Sequence, residues 1–243
     1  MNAIERIREI VAQSDNIVFF GGAGVSTASG IPDFRGNGGL YTDESDDGVT
    51  PEEKLHISYL MSCPEEFYEF YRANMLHLYA EPNEAHYLLA ELEAQGKLRA
   101  IITQNIDGLH QLAGSKNVIE LHGSVSKNYC TGCGKKYHLD YILSTTGVPY
   151  CEDCGGFVRP DVVMYGEALN ASRLYHAENM IYDADVLIVA GTSLTVNPAA
   201  SLVESYQGEH LIIINNDPTP YDDIAEYVIN DDLVYTLRAI LEP

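Results

Sequence analysis

The sequence predicts an α/β fold, a doubly wound parallel sheet with a small cysteine-bearing module set into it, on three observations. Short apolar runs that read as buried strands alternate with stretches of helical spacing through most of the chain. A glycine-rich turn closes the first of those runs. Four of the five cysteines fall within 25 residues, as two Cys-x2-Cys pairs.

Taken in order, residues 1–15 carry Ile4, Ile7, Ile10 and Val11 between charges. That is an amphipathic helix, not the uninterrupted apolar stretch of a signal peptide. Residues 17–20, Ile-Val-Phe-Phe, read as a buried strand that stops at Gly21-Gly-Ala-Gly24. Similar runs recur at 99–103, 161–165, 185–192 and 210–215, and helical spacing occupies 64–78, 83–95, 171–182, 198–206 and 231–241. This alternation implies a parallel sheet covered on both faces. Ligands of such sheets bind beyond the carboxyl ends of the strands, so chemistry is expected in the loops that follow them.

Two stretches break the alternation. Residues 36–53 mix Gly, Ser and Thr with Asp43, Glu44, Asp46, Asp47, Glu52 and Glu53 and read as a mobile loop. Residues 124–160 hold the clustered cysteines. The expected division is therefore a discontinuous sheet domain over 1–123 and 161–243, in which 36–80 form a cofactor loop and helical segment, and a module over 124–160.

A chain of 243 residues with 46% apolar and 21% charged residues has the profile of a soluble enzyme, which excludes collagen-like, disordered and coiled-coil classes. With 14 Lys+Arg against 36 Asp+Glu the net charge is −22, a balance that repels nucleic acid and anionic lipid and favours basic partners. No apolar run approaches the ~20 residues of a membrane span. Neither nucleic acid nor a membrane is an expected partner, a cytoplasmic setting is expected from the cysteine usage, and a monomer is the favoured assembly.

Cys130-x2-Cys133, seventeen residues, then Cys151-x2-Cys154 sets four thiolates on two knuckles able to face one tetrahedral ion. Zinc suits four sulfurs. Because four thiolates fill its shell, the expected ion is structural rather than catalytic. Lys127, Lys135, Lys136 and Arg159 are offset by Asp140, Glu152 and Asp153, so the module lacks a phosphate footprint.

Gly22-Ala-Gly24-Val-Ser-Thr27 begins like G-x-G-x-x-G, with Thr27 in place of the third glycine. Alone it fits a phosphate-binding turn or an ordinary strand-to-helix turn. Asp43 stands at the distance of a ribose-binding acid but within a polar loop, which weakens a dehydrogenase reading. Further clusters follow: Asp33-Phe-Arg35, Thr103-Gln-Asn-Ile-Asp-Gly-Leu-His110, Glu120-Leu-His122-Gly123 and Gly191-Thr-Ser193. Their amides and carboxylates suit hydroxyl and carboxamide ligands, while a lone His-Gly pair fits a base or a core histidine.

These segments occur in the order found in sirtuins, and the resemblance continues through Arg159-Pro-Asp-Val-Val-Met-Tyr-Gly-Glu167, Gly191-Thr-Ser-Leu-Thr-Val-Asn-Pro-Ala-Ala200 and Asn215-Asn216. It covers nearly the whole chain and is similar to a compact bacterial form. The resemblance implies a Rossmann-like NAD-binding domain with a zinc-binding module. It also implies NAD-dependent removal of acetyl groups from protein lysines, yielding nicotinamide, lysine and O-acetyl-ADP-ribose.

By the same resemblance His122 is the general base, Asn105 and Asp107 orient the ribose and carboxamide, and Gln104 holds the ribose side. Gly22, Ala23, Gly24, Thr27, Asp33, Phe34 and Arg35 match the other contacts at that end of the dinucleotide. Gly191, Thr192, Ser193 and Asn215, with Asn216, Asp232 and Leu233, match the phosphate and adenosine end. Phe34, Val163, Tyr165, Gly166, Glu167 and Val196 are expected to meet the acetyl-lysine peptide, which would add as a strand. Sirtuins acting on succinyl or malonyl lysine resemble one another in a Tyr-x-x-Arg pair; here Tyr68 and Tyr71 stand at those places and Arg72 is one position late, which favours acetyl groups. His86 and His110 are expected to be structural. Alternatives are deacylation of longer or acidic acyl groups, protein mono-ADP-ribosylation, and a non-catalytic NAD sensor.

Overall fold

The computed structural model describes residues 2–34, 39–42 and 48–241. Its central strand, β1 (Ile17–Gly21), is buried along its whole length because both faces meet apolar layers. Ile17 and Phe19 enter one cluster, with Ile7, Leu89 and Leu237. Val18 and Phe20 alternate into the other, with Ile181 and Val203. Further strands are β2 (Leu98–Thr103), β3 (Val118–Glu120), β4 (Gly123–Cys130), β5 (Lys136–His138), β6 (Val158–Val162), β7 (Val186–Ala190), β8 (His210–Ile214) and β9 (Tyr227–Ile229). Six of them form one parallel sheet in the order β3-β2-β1-β7-β8-β9.

Helices cover the sheet where the spacing predicts them. Ala3–Gln13 starts from a capping box made by Asn2 and Glu5, Glu84–Ala94 starts from Asn83, and Ala171–Tyr182 starts from Asn170. The last helix, Leu233–Leu241, opens after Asp232, whose Oδ1 accepts the Tyr235 N–H at 2.7 Å. The 198–206 stretch becomes a short 3₁₀ segment, Ala200–Ser205, without the length to propagate as an α-helix.

The 161–165 run departs from the reading above. Its strand is β6, shifted to Val158–Val162, and β6 pairs antiparallel with β4 in a separate small sheet, β5-β4-β6. An apolar run records burial but not the sheet that buries it. The parallel sheet is completed instead by β3 and β9, three residues each. The small sheet starts at Gly123 and ends at Val162, and Val158 and Ile142 share a cluster with Leu60, Phe67 and Tyr71 from the helices Ile57–Ser62 and Pro64–Asn74. The cysteine module is thus packed on the segment that follows the acidic loop.

The strand order reverses between β1 and β7, and the loops leaving them touch as backbone. Gly22 N–H donates to Ala190 O at 3.2 Å and Gly24 N–H to Gly191 O at 2.8 Å. A methyl group at Gly24 would stand 2.7 Å from Gly191 Cα, so glycine is required there by proximity. No α-helix follows this turn. Two 3₁₀ turns, Ala23–Val25 and Thr27–Ser29, take its place, and the Thr27 hydroxyl donates to Gly24 O at 3.0 Å.

Candidate active site

A cavity of about 390 Å³ opens at the carboxyl ends of β1, β2, β7 and β8, beside the strand-order reversal. Its sheet-side wall includes Ala23, Asp33, Phe34, Gln104, Asn105, Asp107 and His122, with Thr192, Ser193 and Asn215 at the β7–β8 end. The lining also includes Val163, Tyr165, Gly166, Glu167 and Val196. The sequence reading is therefore brought together at most of its positions.

The loop after β2 is held from several directions. Gln104 N–H donates to Gly21 O at 3.0 Å, and its side-chain Nε2 donates to Thr192 Oγ1 at 3.1 Å, which ties the loops after β2 and β7 together. Asn105 Nδ2 donates to Gly22 O at 3.0 Å and to Ser26 Oγ at 3.1 Å. Ser26 in turn donates to Asp107 Oδ2 at 2.7 Å, while Asp107 Oδ1 accepts the Leu109 N–H at 2.9 Å. Both amide and carboxylate are thereby fixed before any ligand arrives.

His122 lies between β3 and β4 with Nδ1 2.9 Å from Gln104 O. A carbonyl accepts only, so Nδ1 carries the proton and Nε2 keeps its lone pair. Burial pushes the imidazole below its usual range; the bond to the Gln104 carbonyl acts in the opposite direction and is the smaller effect. The result is a neutral ring with an unprotonated Nε2, suited to accept a proton.

His86 and His110 are of another kind. They are fully buried, their ring centroids are 4.7 Å apart, and they do not line the cavity. Burial, reinforced by His86, pushes His110 down to about 3.

Other expected contacts fall elsewhere. Gly22, Gly24, Thr27 and Gly191 shape the turn without lining the cavity. Asn216 does not line it either; Asp232 caps a helix, and Leu233 is buried in the core. Tyr68 and Tyr71 are corrected most sharply: both are fully buried in the small-lobe core, where Tyr68 Oη donates to Val158 O at 2.6 Å. Arg72 crosses the Tyr68 ring and donates to Gly147 O at 2.7 Å, facing the cysteine module rather than the cavity. The helix carrying these residues turns its aromatic face to the core, which a residue-for-residue match does not reveal. Arg35 lies outside the described residues.

Ser26 is the main omission from the sequence reading. It is buried within the glycine turn and links Asn105 to Asp107, and apart from its place inside that motif nothing in the sequence marks it. Asn74, Met75 and His77 also line the cavity; nothing in their spacing marks them.

The four cysteines fit a tetrahedral metal. All four sulfurs lie within 4.8 Å of one another, with Cys130–Cys154 at 3.4 Å and Cys133–Cys151 at 3.6 Å. Zn–S bonds of ~2.3 Å at tetrahedral angles separate sulfurs by about 3.8 Å. Donors surround them: Gly132 N–H and Gly156 N–H reach Cys130 and Cys154 at 3.3 and 3.4 Å. The Tyr137 hydroxyl reaches Cys151 at 3.1 Å and is the largest influence holding that thiol down.

Residues 22–198 match the model of the Sir2 family. The chain belongs to the Sir2 family. It is 53% identical to an NAD-dependent protein deacetylase of Clostridium tetani, covering 100% of this chain and 98% of that one. It is 51% identical to a protein of the same description from Clostridium acetobutylicum, covering 99% of both. Among solved structures, this Sir2-family chain is similar to a Sir2 bound to a p53 peptide and NAD+, with 43% identity, a TM-score of 0.87 and coverage of 100% and 98%. A Sir2 bound to a propionylated peptide gives 42% identity, a TM-score of 0.87 and coverage of 99% and 98%.

Proposed function

We propose that the protein is an NAD-dependent protein-lysine deacetylase that converts acetyl-lysine, NAD and water into lysine, nicotinamide and O-acetyl-ADP-ribose. The observation that carries this reading is the His122 ring, neutral and held by Gln104 O at 2.9 Å, in one cavity with Asn105 and Asp107. The acetyl-lysine amide oxygen bonds to C1′ of the nicotinamide ribose as the bond from C1′ to nicotinamide breaks. His122 Nε2 then takes the proton of the ribose 2′-hydroxyl, whose oxygen attacks the acyl carbon, and the lysine amine leaves as water supplies the oxygen that completes the O-acetyl product. Asn105 Oδ1 and the Asp107 carboxylate orient the ribose and carboxamide, and Ser26 keeps both in place. Ala23, Asp33, Phe34 and Gln104 frame the reacting end; Thr192, Ser193 and Asn215 hold the phosphate and adenosine end. Phe34 shields the reacting carbon from water.

The acetyl-lysine chain enters between Phe34 and the Val163–Tyr165 wall. Tyr165 N–H and C=O are bonded to Leu55 O and Ile57 N–H at 3.0 and 2.9 Å, so a peptide strand pairs with flanking positions rather than with Tyr165. The excess of acidic residues favours basic peptides, and raising salt is expected to raise the peptide KM. The cysteine quartet holds one structural zinc, with no open position for chemistry. Among the described residues no helix is long and apolar enough to cross a membrane. The cysteine usage supports a cytoplasmic setting.

The test is incubation with NAD and an acetyl-lysine peptide, wild type beside His122→Ala, with nicotinamide and O-acetyl-ADP-ribose followed by mass spectrometry. Loss of a general base is expected to lower kcat/KM by roughly 10²–10⁴-fold. Equal product from both proteins overturns the assignment. ADP-ribose attached to protein in place of O-acetyl-ADP-ribose would make it a transferase.

A further inference from the structure

Next to His122 the cavity is lined by a short segment, residues 163–167, that lies beyond the end of β6. Backbone bonds that hold it include Val163 N–H to His122 O at 2.9 Å, the two Tyr165 bonds, and Glu167 N–H to Met164 O at 3.0 Å. Its far end is closed by one ion pair. Arg159 is 7% exposed, and its Nη1 and Nη2 each donate to a different oxygen of Glu167 at 2.7 Å. The same guanidinium donates to Val162 O at 3.0 Å and lies over the Tyr129 ring at 5.8 Å. Glu167 Oε2 also accepts the Met164 N–H at 2.9 Å.

The fork therefore joins the β4–β6 sheet to the last residue of the 163–167 segment. Burial raises the Glu167 carboxyl, but Arg159 and the Met164 N–H outweigh it and hold the group below its usual range. A buried ion pair is poor evidence of stabilisation, because an apolar pair of the same volume often serves as well. What a bidentate pair adds is fixed geometry.

We infer that Arg159 and Glu167 are the positioning pair of the acyl-lysine wall: Arg159, which does not line the cavity, holds Glu167 and through it sets where residues 163–165 stand relative to His122. The inference rests on the deacetylase reading for its kinetics. It gives Glu167, which also lines the cavity as the sequence reading expects, a positioning role through Arg159 and the Met164 N–H.

The test compares Glu167→Gln, which keeps the shape and loses the charge, with Arg159→Lys, which keeps the charge and loses the fork. For each full-length protein the melting temperature, the KM for acetyl-lysine peptide, the KM for NAD and the Kd of a fluorescent acetyl-lysine peptide are measured. Misplacing the wall is expected to raise peptide KM and Kd on the order of tenfold. The NAD KM should stay within about twofold of wild type. A merely structural role would lower the melting temperature and leave both KM values in place. Wild-type peptide KM and Kd in either folded variant, or equal rises in both KM values, overturns the inference. If the wild type releases no nicotinamide, the deacetylase reading fails while the peptide Kd still decides the pair.

Discussion

The sheet lobe and the cysteine lobe reach their folds by different physics. Along β1, β7 and β8 nearly every side chain is buried, and the two faces of the sheet sort themselves by alternation. The cysteine lobe has strands as short as three residues, borrows apolar partners from helices far earlier in the chain (Tyr68 meets Val158, 90 residues on), and relies on four sulfurs and on ion pairs such as Arg159–Glu167. Burial specifies the first; particular ligands and contacts specify the second. Perturbations should therefore separate the lobes.

The largest separation is expected from metal removal, since structural zinc contributes roughly 10–16 kcal/mol in zinc-dependent peptides. After chelation, amides of β4–β6 should exchange rapidly while those of β1 and β7 remain protected, as read by hydrogen-exchange mass spectrometry. Equal loss in both lobes would break the comparison. Next comes Phe19→Ala, which opens a void in the sheet core and should cost about 3–5 kcal/mol by denaturant unfolding. Wild-type stability in that variant would mean that the sheet lobe is not set by burial.

Acid sharpens the contrast further. His110 is neutral in the fold with its pKa pushed down to about 3, whereas an unfolded imidazole titrates near ~6.5. Its contribution is complete above the unfolded value and is lost as pH falls toward the folded one, by about 2 kcal/mol at pH 5. His110→Phe should flatten this acid sensitivity in pH-dependent melts; an unchanged slope would remove His110 as its source. Ser26→Ala is smaller still, with an expected fall of about tenfold in kcat/KM for NAD and no change in peptide Kd. The smallest effect concerns His122: because burial lowers its pKa, the acid limb of kcat/KM should lie below the ordinary ~6.5, and a limb above that value would contradict a buried neutral base.

What the sequence disclosed follows the same division. The long buried strands and their helices could be read from periodicity, and the loops after β1, β2 and β7 from their position at strand ends. Strands β3 and β9 were too short to leave a period, and 161–165 announced burial without naming its partner. Residues matched by motif largely meet in the cavity when they sit on strand-end loops. The match misplaced Tyr68 and Tyr71 because helix rotation is settled by tertiary packing, and it passed over Ser26 because a serine among glycines carries no chemical label until its two partners are in view.

The seam where Gly22 and Gly24 abut Thr192 and Gly191 limits how the enzyme could be re-engineered. A new side chain at Gly24 would meet Gly191 Cα at 2.7 Å and would wedge two crossing loops apart before it touched a ligand. Changes to the cavity at this end are better made at Ser193 or Asn215, which line it and lie outside that seam.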